Sequence, residues 1–233
     1  MTYSRGGKKM WCVADLDEEY ITRMEDVLAV YEKPWSEQEP VVCIDEKPVT
    51  LHQDVRETLP MKPGSVAKRD YEYKRCGGAN LFCGVEPQAG AHFTKTTANR
   101  CSFEFADYLL DIAASYPQAA TIHLVMDNLS SHSRKALVDR FGEQIGGWLW
   151  DRFTVHYTPK HGSWLNQAEI EISLLSRQCL GKRRIADLHS LDQETQVWNR
   201  TMNRNRIKIN WTFDRKAARK KFHYRYKNKR SET

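Results

Sequence analysis

The chain has 233 residues, 40% hydrophobic, 11% aromatic and 28% charged, and 36 Lys and Arg against 30 Asp and Glu give a formal charge of +6; this is a folded globular composition, not a disordered one. No apolar run approaches the roughly 18 residues that cross a bilayer, and no apolar stretch follows the basic opening of residues 1–9, so no membrane span or secretory signal is readable. The six cysteines (12, 43, 76, 83, 101 and 179) form no C-x-x-C pair, which argues against a zinc site or disulfide framework and suits scattered thiols in a reducing compartment.

In chain order, Asp15 or Asp17 can cap a helix running to about Tyr31, with Ile21, Met24, Val27, Leu28 and Tyr31 at helical spacing. Residues 41–44 are a short continuous apolar run, the pattern of a strand covered on both faces, and lead straight into Asp45 and Glu46. Residues 47–70 are polar and poorly periodic and read as an excursion with weak structure. Residues 80–86 and 91–96 read as strands of a hairpin turning at Pro87 to Gly90. Ser102 can cap a helix to about Ser115, and the apolar strand 122–126 ends on Asp127. A helix over 133–141, a strand over 153–156, a loop at Pro159 and Gly162, a long helix from Ser163 through Gln178 and a last helix over about 191–204 complete the pattern. Strands come first, then helix and strand alternate, which predicts an α/β sheet of mixed direction.

The basic excess belongs to the end of the chain. Residues 215–230 hold nine Lys or Arg and no acid, interleaved with Phe222, Tyr224 and Tyr226; the rest of the chain has 27 basic against 30 acidic residues. Cations with aromatic neighbours suit phosphate contact and base stacking, and a solvated terminus is the plain alternative.

Asp45 and Asp127 both stand at the ends of apolar strands, where ligands gather in open α/β sheets. A third acid, Glu169 or Glu171, falls on the helix after the last strand. Three converging carboxylates repel one another unless hard cations lie between them, and oxygen-only ligation favours Mg²⁺, with Mn²⁺ also suitable. Two such ions can activate an attacking oxygen and stabilise a leaving one. The helical phase does not choose between the two glutamates: Leu165, Ala168, Ile172 and Leu175 form an apolar stripe, and Glu169 and Glu171 each border it.

Three blocks carry a resemblance: Val41-Val42-Cys43-Ile44-Asp45-Glu46-Lys47, Leu124-Val125-Met126-Asp127-Asn128-Leu129-Ser130-Ser131-His132, and Tyr157-Thr158-Pro159-Lys160-His161-Gly162-Ser163-Trp164-Leu165-Asn166-Gln167-Ala168-Glu169. Together they resemble the DDE catalytic domain of bacterial transposases of the insertion-sequence 630 family, within the Tc/mariner superfamily, from about Lys8 to the C-terminus. The resemblance implies an RNase H-like fold, a mixed five-stranded sheet flanked by helices, and two-metal phosphoryl transfer on DNA. It makes Asp45, Asp127 and Glu169 the catalytic acids and metal ligands, and so prefers Glu169 over Glu171, whose change to Gln is expected to be neutral. Forty-one residues separate Asp127 from Glu169, with Gly146, Gly147 and Trp148 in the added helix and loop.

Around the acids, Asn128 is a candidate to orient Asp127 or touch DNA, with a turn residue as the alternative. His132 and His161 are candidates for contact with phosphate or with the acids, against simple exposure. Asn166 resembles the family's helix-opening Asn and is a candidate to place Glu169. Trp164 reads more as a buried anchor than as a stacking platform. Arg177 with Lys182, Arg183 and Arg184 suggests a phosphate track, or a solvated helix end.

The expected division is a linker and helix over 1–40, the catalytic domain over 41–213 and a basic tail over 214–233. Transposases of this family carry an N-terminal helix-turn-helix region, which 44 residues before Asp45 do not accommodate. Gly7 to Trp11 resembles the segment joining the two halves. The expectation is therefore a chain that works on DNA with a separately encoded or frame-shifted helix-turn-helix half, as a homodimer, in the bacterial cytoplasm near the nucleoid and without a membrane.

Overall fold

The computed structural model describes residues 16–225. Gly7 to Trp11 and the last three cations of the basic tail lie outside them. The Asp17 carboxylate accepts the Tyr20 N–H at 2.7 Å and starts helix α1, Glu18–Tyr31. Its apolar face, Tyr20, Met24, Val27 and Leu28, is buried. Five strands follow: β1 Val41–Asp54, β2 Tyr73–Glu86, β3 Ala91–Thr97, β4 Ile122–Met126 and β5 Phe153–Tyr157. Between and after them run α2 Ser102–Ser115, α3 Arg134–Asp151, α4 Ala168–Leu175, α5 Leu188–Asn205 and α6 Arg215–Phe222.

The sheet order is β3-β2-β1-β4-β5. Strands β1 to β3 are antiparallel neighbours, whereas β4 runs parallel to β1 and β5 parallel to β4. This is the five-stranded mixed sheet expected of an RNase H-like fold.

Alternation along the central strands divides the core in two. Val42, Ile44, Leu124 and Met126 pack with Phe105, Leu109 and Ile112 of α2 and Leu137 of α3. Cys43 and Val125 face the other way, against Met24, Val27 and Leu28 of α1 and Leu165 and Ala168 at the start of α4. A third cluster joins Leu81 and Cys83 of β2 to Leu175 and to Leu191, Trp198 and Met202 of α5.

Three segments between β1 and α5 depart from the sequence expectations. First, β1 does not stop at Asp45 but continues to Asp54, paired with β2 from Tyr73 onward across an irregularity between Thr50 and His52. The outer half of this ribbon is held by cross-strand pairing with little burial, so it leaves no apolar alternation to read. Beyond it, residues 55–72 carry only the bridges Leu59–Lys68 and Lys62–Ser65, with Leu59, Met61, Val66 and Tyr71 exposed.

Second, the long helix expected from Ser163 is broken. Residues Ser163–Leu165 make one 3₁₀ turn, Asn166 is extended, α4 follows, and Ser176–Leu180 close with a π-helical turn. Third, α3 reaches Asp151 because Gly142 adopts φ 82°, a conformation costly for residues with a Cβ, and the chain resumes as helix beyond it. Gly146 then lies against the Leu137 and Val138 backbone, too close for any larger residue.

Of the segment read as a basic tail, residues 215–222 form the docked helix α6, and Tyr224 docks just after it. Ala218 is buried against the α1 cluster. The Arg219 guanidinium donates to both oxygens of buried Glu25 at 2.7 and 2.6 Å, and the Tyr224 hydroxyl donates to the same carboxylate at 2.7 Å. Arg215 binds Glu32 at 2.8 Å.

Candidate active site

β1 pairs with β4 in the register Val41–His123 and Cys43–Val125. Two residues further along, the same register brings Asp45 beside Asp127, both on the face covered by α1 and α4. Asn166 fixes the start of α4 to that face. Its side-chain amide donates to the Ile44 carbonyl at 2.8 Å, and its Oδ1 accepts the Ala168 N–H at 3.1 Å. Glu169 thus emerges in the first turn of α4, exposed, beside the two aspartates.

The electrostatics register this proximity. Burial pushes the Asp45 carboxyl up to about 6, and the charges of Glu169, Asp127 and Glu46 push in the same direction against the Glu46 N–H, which donates to Asp45 Oδ1 at 2.7 Å. Asp127 behaves oppositely. Its hydrogen bond from His132, 2.7 Å to Oδ1, holds its carboxyl below the usual range. Burial alone would discharge the His132 ring, but its bonds to Asp127 and Glu46 prevail and raise it to about 9.

The donor chemistry of Asp45, Asp127 and Glu169 fits hard divalent cations, since it is all carboxylate oxygen and the charges of Asp127 and Glu169 raise the cost of ionising Asp45. Among the described residues no three His, Cys, Asp or Glu side chains stand close enough to enclose an ion by themselves. The acids are neighbours rather than a closed cage.

Glu171 separates cleanly from Glu169. It is fully buried, and its Oε1 lies 2.8 Å from Nδ1 of His92, a ring that is itself buried on β3. His92 Nε2 donates to the Ile207 carbonyl at 2.9 Å. The pair therefore ties α4 to β3 and to the chain after α5, on the side of α4 away from the acids.

Of the other candidates, His132 is buried and bonded to Asp127, not exposed. Asn128 is exposed and bonds none of the acids; besides His132, Asp127 Oδ1 has the Leu129 N–H at 3.4 Å. His161 is exposed, with φ 62°, a strained value for a residue other than glycine. Asn128 and His161 line an open cavity of about 740 Å³ together with Asp127, Lys160 and, from α1, Tyr20 and Arg23.

Trp164 is 40% exposed rather than buried, with its indole N–H donating to the Tyr20 hydroxyl at 3.2 Å and its ring edge-on to Phe213, 5.4 Å between centroids. The basic group after α4 does not form one track. Arg184 is held by Asp54 at 2.6 Å and by the carbonyls of Glu72 and Tyr71, and Arg183 by Glu194 at 2.9 Å. Lys182 and Arg177 are exposed.

Sequence reading overlooked Glu46 and His92. Glu46 was legible only through strand alternation, which turns it away from Asp45 and toward the α2 side, where His132 lies. Nothing local marked His92.

Comparison with known proteins follows the same lines. The family described as DDE superfamily endonuclease matches residues 40–192. Solved structures of similar fold include the Mos1 mariner paired end complex with Mn, at 14% identity and a TM-score of 0.57, covering 88% of this chain and 62% of that one. The Mos1 transposase paired-end complex with left transposon end gives 14% and 0.56 over the same shares, and the Mos1 mariner paired end complex with Mg gives 14% and 0.53 over 88% and 63%. This chain thus spans about three-fifths of the length of those proteins. No curated protein sequence matches it. Among the described residues no helix is long and apolar enough to cross a membrane.

Proposed function

We propose that this chain, which belongs to the DDE superfamily endonuclease family, is the catalytic domain of an insertion-sequence transposase of the insertion-sequence 630 type. Its reaction is cleavage of DNA at the element's ends followed by attack of the freed 3′-hydroxyl on target DNA. The observation that carries this reading is the meeting of Asp45, Asp127 and Glu169 on one sheet face, where Glu169 and Asp127 both raise the cost of charging Asp45. Mg²⁺ or Mn²⁺, as two ions, would supply positive charge to the attacking and leaving oxygens when bound.

The chain's own residues have separable tasks. Asp45 and Asp127 offer carboxylate oxygens from β1 and from the end of β4, Glu169 offers one from the first turn of α4, which packs on β1, and Asn166 keeps that helix in place through the Ile44 carbonyl. Lys160, Arg23 and His161 line the open cavity beside Asp127, which suits a phosphate backbone entering the site. The partners we assign are DNA, a second copy of the chain on DNA and a separately encoded helix-turn-helix half that reads the element's ends.

Nicking of supercoiled plasmid in Mg²⁺ or Mn²⁺ tests the enzyme. Asp45→Asn, Asp127→Asn and Glu169→Gln each preserve shape and remove one ligand charge, so each should slow nicking by about 10²-fold or more. Unchanged nicking in any of the three removes that residue from the site. Joining of a cleaved end to a second duplex separates a transposase from a nuclease on the same fold.

A further inference from the structure

We propose that Glu46 and His132 form a positioning pair that turns Asp127 so that Oδ2, and not Oδ1, is presented to the divalent cation. The inference rests on the reading of Asp127 as a metal ligand and adds a residue, Glu46, and a choice of oxygen to it.

The geometry is a chain of three groups at the carboxyl side of β1 and β4, in the middle of the sheet. Glu46 follows Asp45 on β1, so its side chain leaves on the opposite face, where it is only 7% exposed. Its Oε1 lies 3.0 Å from Nε2 of His132. The His132 ring, 3% exposed, stacks on Phe105 with centroids 4.4 Å apart, and its Nδ1 lies 2.7 Å from Asp127 Oδ1. Both ring nitrogens thus face oxygen acceptors, Nε2 that of Glu46 and Nδ1 those of Asp127, whose main-chain oxygen lies 3.4 Å from Nδ1, and the ring is strapped between two acids.

The backbone of His132 is fixed as well. Its N–H donates to the Leu129 carbonyl at 2.9 Å, and its carbonyl accepts the Tyr157 hydroxyl at 3.0 Å. The ring cannot turn without losing its stack on Phe105 and its contacts with Glu46 and Asp127. Asp127 Oδ1 is therefore committed to His132, while no described group bonds Oδ2. A second consequence concerns Glu46 itself. It stands next to Asp45 in sequence, yet its side chain lies on the opposite face of β1 with Oε1 against His132, so it is turned away from a cation held by Asp45.

Binding of Mn²⁺ alone to the full chain, followed by electron paramagnetic resonance, tests the pair in Glu46→Gln, Glu46→Leu and the double variant Glu46→Leu/His132→Phe. The Gln amide oxygen still accepts from Nε2, so E46Q should keep its Mn²⁺ affinity within about threefold. E46L frees the ring and should weaken Mn²⁺ binding by about 10–100-fold, the usual loss when a ligand's orienting partner is removed. The double variant leaves no buried charge unpaired, keeps an aromatic ring on Phe105 and should bind Mn²⁺ no worse than E46L within about threefold, because both act through one oxygen.

Wild-type affinity in E46L, or a further large loss in the double variant, overturns the pair. Melting in EDTA separates loss of fold from loss of metal. If the wild-type chain itself binds no Mn²⁺, the metal reading of the acids fails, and metal-free crystals decide on the pair: Asp127 should leave its position in E46L, and an unmoved Asp127 refutes the inference.

Discussion

Glu169 and Glu171 lie two positions apart on α4, and their surroundings assign them opposite work. Glu169 is exposed at the acid cluster, and Glu171 is sealed against His92. Substituting Glu169 by Ala should leave stability within about 0.5 kcal/mol, since the side chain is exposed, while nicking is lost. Glu171→Ala should do the reverse first. It opens a cavity and strands the His92 nitrogen, costing about 2–4 kcal/mol, visible as a lower melting temperature with or without metal. Glu171→Gln should be mild, because a side-chain amide can donate to Nδ1 of a neutral His92. The sequence could not divide the two glutamates by helical phase, since both border the apolar stripe. What divides them is His92, seventy-nine positions earlier and on another element.

Helix α6 shows how one element can hold two kinds of cation. Arg215 and Arg219, one turn apart, face α1 and are bonded to Glu32 and Glu25, whereas Lys216 and Lys220 face solvent. Arg219→Ala should leave the Glu25 carboxylate short of its bidentate partner and cost about 1–3 kcal/mol in denaturant unfolding. Lys216→Gln and Lys220→Gln should leave stability within about 0.5 kcal/mol. If they contact phosphates in the bound state, each should flatten the log–log salt dependence of duplex binding by about 0.9. A salt slope that survives both changes would assign the phosphate contacts to other cations. The basic run was plain in the sequence, but its division was not, because the acids that claim the arginines lie nearly two hundred positions away.

Across the whole molecule, the elements best read from sequence are those whose burial repeats locally: α1, α2 and β4 occupy the expected segments because each presents an apolar face or run to one core. The acid-bearing blocks were readable for the same reason, as each follows or adjoins such an element. Polar joints between distant elements left no local pattern. The longest of them runs from α1 through two strands. The Lys33 ammonium donates to His123 Nε2 at 2.7 Å, His123 Nδ1 meets His156 Nε2 at 3.0 Å, and His156 Nδ1 meets Asp26 at 2.7 Å. Because Lys33 only donates, His123 must accept there and pass its single proton on to His156, which passes its own to Asp26. Burial depresses the protonation of His123, and the charges of Lys33 and His156 add to this against the opposing pull of Glu39. An unfolded His takes up a proton near pH 6.5, so this part of the stability is complete above about that pH and declines as the pH falls below it. Thermal melting between pH 7.5 and 5.5 should show that decline, and His123→Gln should flatten it; a wild-type curve without slope, or an equal slope in the variant, would place the acid sensitivity elsewhere.

The uninterrupted course of β1 also has a mechanical meaning. Asp45 sits within a ladder that continues for nine more residues toward the exposed tip, with a single irregularity between Thr50 and His52. Force applied to residues 55–72 travels along covalent backbone and paired strands toward the carboxylate, and that irregularity is the one joint along β1 where it can be absorbed as bending. The ribbon is thus a lever whose fulcrum lies about 17 Å from Asp45, at the rise of an extended strand. Regular pairing through Thr50 and His52 would make that joint stiffer and couple the tip more closely to Asp45.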